Sequence, residues 1–220
     1  SNVFPGILGR TCDRPCEPAC RRSRVEESNG EQLEPVAICR LKRVAADMKD
    51  DVSKRMPKLS PSNGKRIACI GAGPASLTVA RDLAPLGYEV TVFDGEAKAG
   101  GFIRTQIPKF RLPESVIDEE TGYILDLGVK FRSGQRIESM TGLLQEGFDA
   151  VFVGCGAPRG RDLQLPGRKE ITENIYIGID WLASVSFGHV SSIGQRVIVL
   201  GGGNTAMDCC RSARRLGGSD

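Results

Sequence analysis

The apolar positions of this chain fall into two periods that alternate along most of its length. Short apolar runs at 66–70, 89–93, 129–132, 150–153 and 196–200 predict strands, the run RVIVL at 196–200 a fully buried one. Between them, helical spacing predicts helices over 74–86, 112–127, part of 174–187, and 204–216, with Pro113 opening the second and Gly128 closing it. Strands alternating with helices give an α/β fold on a parallel sheet. The first 49 residues differ: they read as a small all-α module, with a helix from near Pro35 whose apolar stripe is Ala37, Leu41, Val44, Ala45 and Met48. A polar stretch with two prolines and a glycine, 50–64, reads as a linker. The expected division is therefore 1–49, linker 50–64, a first α/β domain 65–194, and the start of a second unit at 195–220. Apart from two glycine units, no internal repeat is present.

Those glycine units carry the chemistry. Gly71-Ala72-Gly73-Pro74-Ala75 joins the strand 66–70 to the helix that follows. In such a loop Gly71 permits the tight turn and Gly73 lets backbone approach a pyrophosphate, at which the unpaired helix N–H groups point. Ser76 stands where Gly or Ala is usual, which loosens helix–strand packing slightly. The next predicted strand ends in Asp94, about 20 residues beyond Gly73, where an acid accepts hydrogen bonds from a ribose. The second unit, Gly201-Gly202-Gly203-Asn204-Thr205-Ala206, follows the strand 196–200 in the same way, so two dinucleotides are implied. The Gly100-Gly101 pair suggests a further close backbone approach.

Half of the eight cysteines lie in the first 39 residues: Cys12, Cys16 and Cys20 at even spacing, and Cys39 on the predicted helix. Cys39 lies about 200° around that helix from Ala37, off the apolar stripe, and so calls for a ligand. Four thiolates suit zinc or an iron–sulfur cluster. The spacing is longer than zinc-ribbon knuckles, and Arg10, Arg14, Arg21, Arg22 and Arg24 can offset cluster charge. Disulfides are disfavoured, because nothing indicates secretion and cytosolic thiols stay reduced. We therefore expect a cytoplasmic protein.

Composition narrows the classes. A net charge of +3 over 220 residues makes no case for nucleic acid, and no apolar stretch is long enough for a membrane span. The first residues lack an initiator Met and a signal-peptide pattern, so the start looks trimmed. The strand expected to carry the ribose contacts of the second unit lies beyond Asp220. Other residues have plainer readings. Cys209 and Cys210 join Ala206, Ala213 and Leu216 in a core stripe, Cys69 is inert within its strand, and Cys155 lacks a second cysteine for dithiol chemistry. His189 reads as a surface residue, Trp181 as core, and Asp118-Glu119-Glu120 as a solvated helix face.

The cysteine run after LGRT, GAGPAS, the Gly100-Gly101 pair, IPKFRLP (107–113), LGVKF and GGGNTAMD together resemble the small (beta) subunit of glutamate synthase and its relatives, including the flavin-containing half of dihydropyrimidine dehydrogenase. The resemblance covers nearly the whole chain. It implies a helical, ferredoxin-like iron–sulfur module, a Rossmann-like FAD-binding domain and the start of an NAD(P)-binding Rossmann unit. Carried over, Gly71, Ala72, Gly73, Pro74 and Ala75 hold the FAD pyrophosphate, Asp94 its ribose, and Gly100, Gly101, Phe102, Arg111 and Ile137 further parts of FAD. Gly201, Gly203, Asn204, Thr205 and Ala206 cradle NAD(P)H, and Cys12, Cys16, Cys20 and Cys39 hold a 4Fe-4S cluster. The family's usual Glu or Gln ligand falls at Lys42, which cannot ligate; Cys39, one turn earlier, takes the role. In this family the third cysteine can also serve another cluster, so Cys20 either completes one site or loses its partners. The implied function is electron transfer between NAD(P)H, FAD and the cluster to a subunit or domain absent from this chain. The rival is a non-catalytic cofactor-binding or assembly module whose four cysteines hold a structural zinc.

Overall fold

The polypeptide is described by a computed structural model over residues 2–27, 30–52, 55–171 and 173–220. Ser1, Ser28 and Asn29 of the expected N-terminal module, Ser53 and Lys54 of the linker, and Thr172 lie outside the described residues. Strands β1 (Arg66–Ile70), β2 (Glu89–Phe93), β3 (Lys130–Arg132) and β4 (Ala150–Val153) form one parallel sheet in the order β3-β2-β1-β4. In register, Cys69 of β1 lies between Val92 of β2 and Phe152 of β4. The chain moves outward from β1 through β2 to β3 and then returns to the other side of β1. The order thus reverses between β1 and β4, which makes their C-terminal ends the place where an α/β sheet opens a crevice for ligands.

Local sequence fixes the helices. In chain order they are α1 (Pro5–Thr11), α2 (Ile38–Asp47), α3 (Pro74–Leu83), α4 (Phe102–Thr105), α5 (Glu114–Leu125), α6 (Met140–Gln145), α7 (Gly178–Ser186) and α8 (Asn204–Arg215). Pro74 starts α3, and Gly87 at φ +86° ends the short 3-10 turn that follows it. One face of the sheet packs Ile67, Cys69, Val90 and Val92 against Leu77 and Ala80 of α3 and Ile117 and Ile124 of α5. Phe4 and Ile7 of the N-terminal segment belong to this same core. A fully buried leucine such as Leu77 contributes about 1.5–3 kcal/mol. The other face is smaller: Phe93 meets Phe148 edge-on at 5.9 Å, beside Ala68 and Leu143. α7 and α8 share a third cluster of Trp181, Leu182, Cys209 and Ala213. No helix among the described residues is long and apolar enough to cross a membrane.

Four expectations are corrected. Residues 196–200 form no strand: Ile198 and Leu200 are exposed, and Val197 N–H is taken by Asp220 O at 2.9 Å. An extended run becomes a strand only beside a partner ladder, and none of the described strands lies next to it. The apolar stripe of α2 faces outward, with Leu41, Val44 and Met48 exposed, while Cys39 and Ala46 are buried. The reason is the close crossing of α1 over α2, where a Cβ at Gly9 would fall 2.9 Å from Arg43 Cα; only small side chains fit there. Glu120 is buried rather than solvated, accepting hydrogen bonds from Gly6 N at 2.6 Å and Ile7 N at 3.1 Å. It satisfies the unpaired N–H groups at the start of α1. Cys210 is exposed, although Cys209 is core as expected.

Candidate cofactor sites

The first glycine loop leaves β1 at the reversal point. Gly71 has φ +90°, and a Cβ there would lie 2.6 Å from Gly154 O, so the loop rests directly on the end of β4. Gly73 is the N-cap of α3, with no side chain capping the helix. Its own Cβ direction meets nothing nearer than Gly101 Cα at 4.0 Å. The Gly100-Gly101 segment closes over the loop: Gly100 N donates to Ala72 O at 2.8 Å, and a Cβ at Gly101, φ +53°, would lie 2.8 Å from Gly73 Cα. Asp94 completes the arrangement, accepting from Ala72 N at 2.5 Å and Glu96 N at 2.9 Å. Two of its lone-pair sites are thus used and others remain for ribose hydroxyls. Pro74, Ala75 and Phe102 lie exposed at this edge, whereas Ile137 packs against the smaller core face.

The loop has supports that the sequence pattern did not reveal. Buried Arg104, in α4, donates to Ala99 O at 2.7 Å and pairs with Glu114 at 3.2 Å and Asp118 at 2.6 Å, tying the Gly100-Gly101 segment to α5. The carboxyl of Glu114 falls to about 2, chiefly through Lys98, then Lys109. A Cβ at Gly154 would collide with the Ser76 hydroxyl, so the glycine there leaves room for a serine at position 76. The available signal was Glu114 and Asp118 at i,i+4 on one helix face, shortly after Arg104.

The second loop repeats the first at its helix end. Gly203 caps α8 at φ −80°, ψ 175°, beside −79° and 178° at Gly73, and again no side chain caps the helix. Gly201, Gly202, Gly203, Asn204 and Thr205 are exposed, and Ala206 is half-buried. Arg111 points to this second unit: its Nη1 lies 2.5 Å from Asp208 Oδ2 of α8.

At the N-terminus, Cys12 closes α1 and Cys39 lies in the first turn of α2. Burial pushes the Cys39 thiol up; Lys42 opposes this, and the neighbouring Cys12 and Cys16 add to it. Glu17 accepts from Cys39 N at 3.0 Å. Cys20 has a different environment, held below the usual thiol range by the backbone N–H of Val36 and then of Arg22. Among the described residues no group of three His, Cys, Asp or Glu side chains stands at metal-ligand spacing. Cys12 and Cys16 are near enough to Cys39 to act on its thiol, whereas Cys20 is held by backbone N–H groups. Elsewhere, burial lifts Cys69 to about 11 and, with Asp208 adding, Cys209 to about 11, so both are inert thiols. Cys155 is exposed beside the Gly71 turn.

A parallel sheet with a glycine loop at its reversal point defines a nucleotide-binding class of fold, and the family described as pyridine nucleotide-disulphide oxidoreductase matches residues 65–220. The chain belongs to that family. It is 37% identical over 225 residues to the NADPH-Fe(3+) oxidoreductase subunit beta of Geobacter sulfurreducens, covering 99% of this chain and 32% of that protein. It is 35% identical to the NADP(+)-dependent formate dehydrogenase subunit beta of Moorella thermoacetica, covering 98% and 33%. It is 31% identical to the glutamate synthase [NADPH] small chain of Mycobacterium tuberculosis, covering 99% and 46%. The chain thus spans between about a third and a half of these relatives. Among solved structures, FprA from Mycobacterium tuberculosis superposes with a TM-score of 0.54 at 22% identity, covering 69% of this chain and 36% of that one. That likeness concerns the fold alone.

Proposed function

We propose that the chain is the flavin- and nucleotide-binding part of an NAD(P)H-dependent electron-transfer subunit, passing electrons between NAD(P)H, FAD and a 4Fe-4S cluster toward a partner subunit or domain. The observation that carries this reading is the repeated helix start: two uncapped helices, α3 and α8, behind glycine N-caps of the same backbone geometry. FAD, when bound, supplies the conversion between two-electron and one-electron transfer. The chain's own residues hold and orient the groups. The first-turn N–H groups of α3 face a pyrophosphate, Asp94 takes ribose hydroxyls, and the glycine contact at 73 and 101 keeps side chains out of the cradle. Gly201, Gly203, Asn204, Thr205 and Ala206 do the corresponding work for NAD(P)H.

Cys12, Cys16, Cys39 and, after turning from its backbone donors, Cys20 would hold the cluster; sulfur-only donors at this spacing, flanked by arginines, suit iron–sulfur chemistry. Zinc is the second reading, since tetrahedral zinc accepts the same four thiolates. Anaerobic purification followed by a visible spectrum and assays of iron, acid-labile sulfide and zinc separates the two. Flavin bands with iron and sulfide are expected, and Cys39→Ala should lose the iron while Cys209→Ala keeps it. Equal iron in both variants removes Cys39 as a ligand, and stoichiometric zinc without iron establishes the second reading.

A further inference from the structure

The IPKFRLP segment (107–113) is in contact with α8. Arg211 and Arg215 of that helix lie over the Phe110 ring at 4.6 Å and 3.9 Å, and Arg111 pairs with Asp208. Asp208, Arg211 and Arg215 are spaced i, i+3, i+7, so one face of α8 meets the first α/β unit while Cys209 and Ala213 meet α7. Phe110 and Arg215 are exposed, so their stacking is a weak tie. Asp208 is different, because its side chain is buried and faces the Arg111 guanidinium. A second contact runs alongside: Gln106 Nε2 donates to Ile179 O of α7 at 3.0 Å.

This geometry bears on the glycine loop at the other end of the same helix. Gly203 caps α8, and Asp208 lies just over one turn inside it. A rigid helix carries its first-turn N–H groups wherever its body is fixed. We infer that Asp208 is a positioning residue for the second nucleotide: through Arg111 it docks α8 on the flavin unit and so sets where the 201–206 loop presents its N–H groups. The inference rests on reading that loop as the nucleotide site. It also gives Arg111 a task beyond the flavin contact that the family resemblance implies.

The test uses the full-length flavoprotein with Asp208→Asn, which keeps shape and loses charge, and Asp208→Glu, which keeps charge. Two measurements are made: steady-state kinetics with NADH and NADPH, and hydrogen exchange of the α8 amides with β1 as internal reference. Asp208→Asn is expected to raise KM about tenfold while kcat and flavin content change less than about threefold. Exchange in α8 should quicken about tenfold with β1 unchanged, and Asp208→Glu should restore most of both effects. Unchanged α8 exchange overturns the docking role and leaves the nucleotide reading intact. Faster exchange with an unaltered KM removes the nucleotide assignment of the loop, and the positioning role with it. Faster exchange in β1 as well overturns the inference, because the pair would then hold the whole fold.

Discussion

Gly73 separates binding from folding in a way that Gly101 cannot. Residue 101 has φ +53°, and its Cβ would strike the Gly73 backbone, so any side chain there strains the loop itself. Gly73 has φ −79° and ψ 178°, which any residue adopts, and open space where its Cβ would point. Gly73→Val should therefore purify folded, with an unaltered far-UV spectrum and thermal midpoint, yet without flavin, because the valine occupies the volume a pyrophosphate requires. Full flavin absorbance in that variant would show the site to be elsewhere. These glycines were legible in the sequence because each meets a local backbone demand within a few residues of chain. Arg104, Gly154 and Asp208 were not, because what makes them matter is a partner between 10 and 97 residues away, at Glu114, Ser76 and Arg111 respectively.

The same limit appears at the scale of the element. Strands β1 to β4 and helices α3, α5, α7 and α8 fall within a few residues of where periodicity puts them, and the central strands β1 and β2 bury the runs their own sequence marks. α2 does not: its period is helical, but the face that packs is chosen by α1. The helix axes approach closely because Gly9 lies over the Arg43 backbone, and the branched side chains of the apolar stripe are too large for that crossing. Leu41→Lys and Val44→Lys should accordingly change unfolding free energy by less than ~0.5 kcal/mol, as surface substitutions do. Gly9→Ala should cost ~1–3 kcal/mol by overpacking. Urea titration of the three variants checks this, and a large loss in either lysine variant would place the stripe in a core after all. The 196–200 run teaches the complementary lesson: an apolar run specifies the capacity for a strand, and a neighbour completes it.

For the whole molecule, the N-terminal cysteine segment and the first α/β unit are mechanically one piece at their junction. Phe4 and Ile7 are part of the sheet's core, and α1 begins on the Glu120 carboxylate of α5. This junction has a pH dependence whose sign is opposite to that of most surface carboxylates. Burial raises the Glu120 carboxyl above its ordinary value of 4.5, outweighing the N–H groups of Gly6 and Ile7 that favour its charge. The folded state therefore holds this proton more tightly than the unfolded chain. Its contribution to stability is fully present below about pH 4.5 and is lost as pH rises through the raised folded value. Glu120→Gln cannot titrate, so the difference in thermal midpoint between wild type and variant isolates the one group. That difference should favour the wild type most at low pH and shift steadily toward the variant as pH rises from about 4.5 through the raised folded value. A difference that moves toward the wild type as pH rises would mean that the carboxylate is ionised in the fold, held by the two N–H donors, and that charge rather than burial governs how the cysteine segment is anchored.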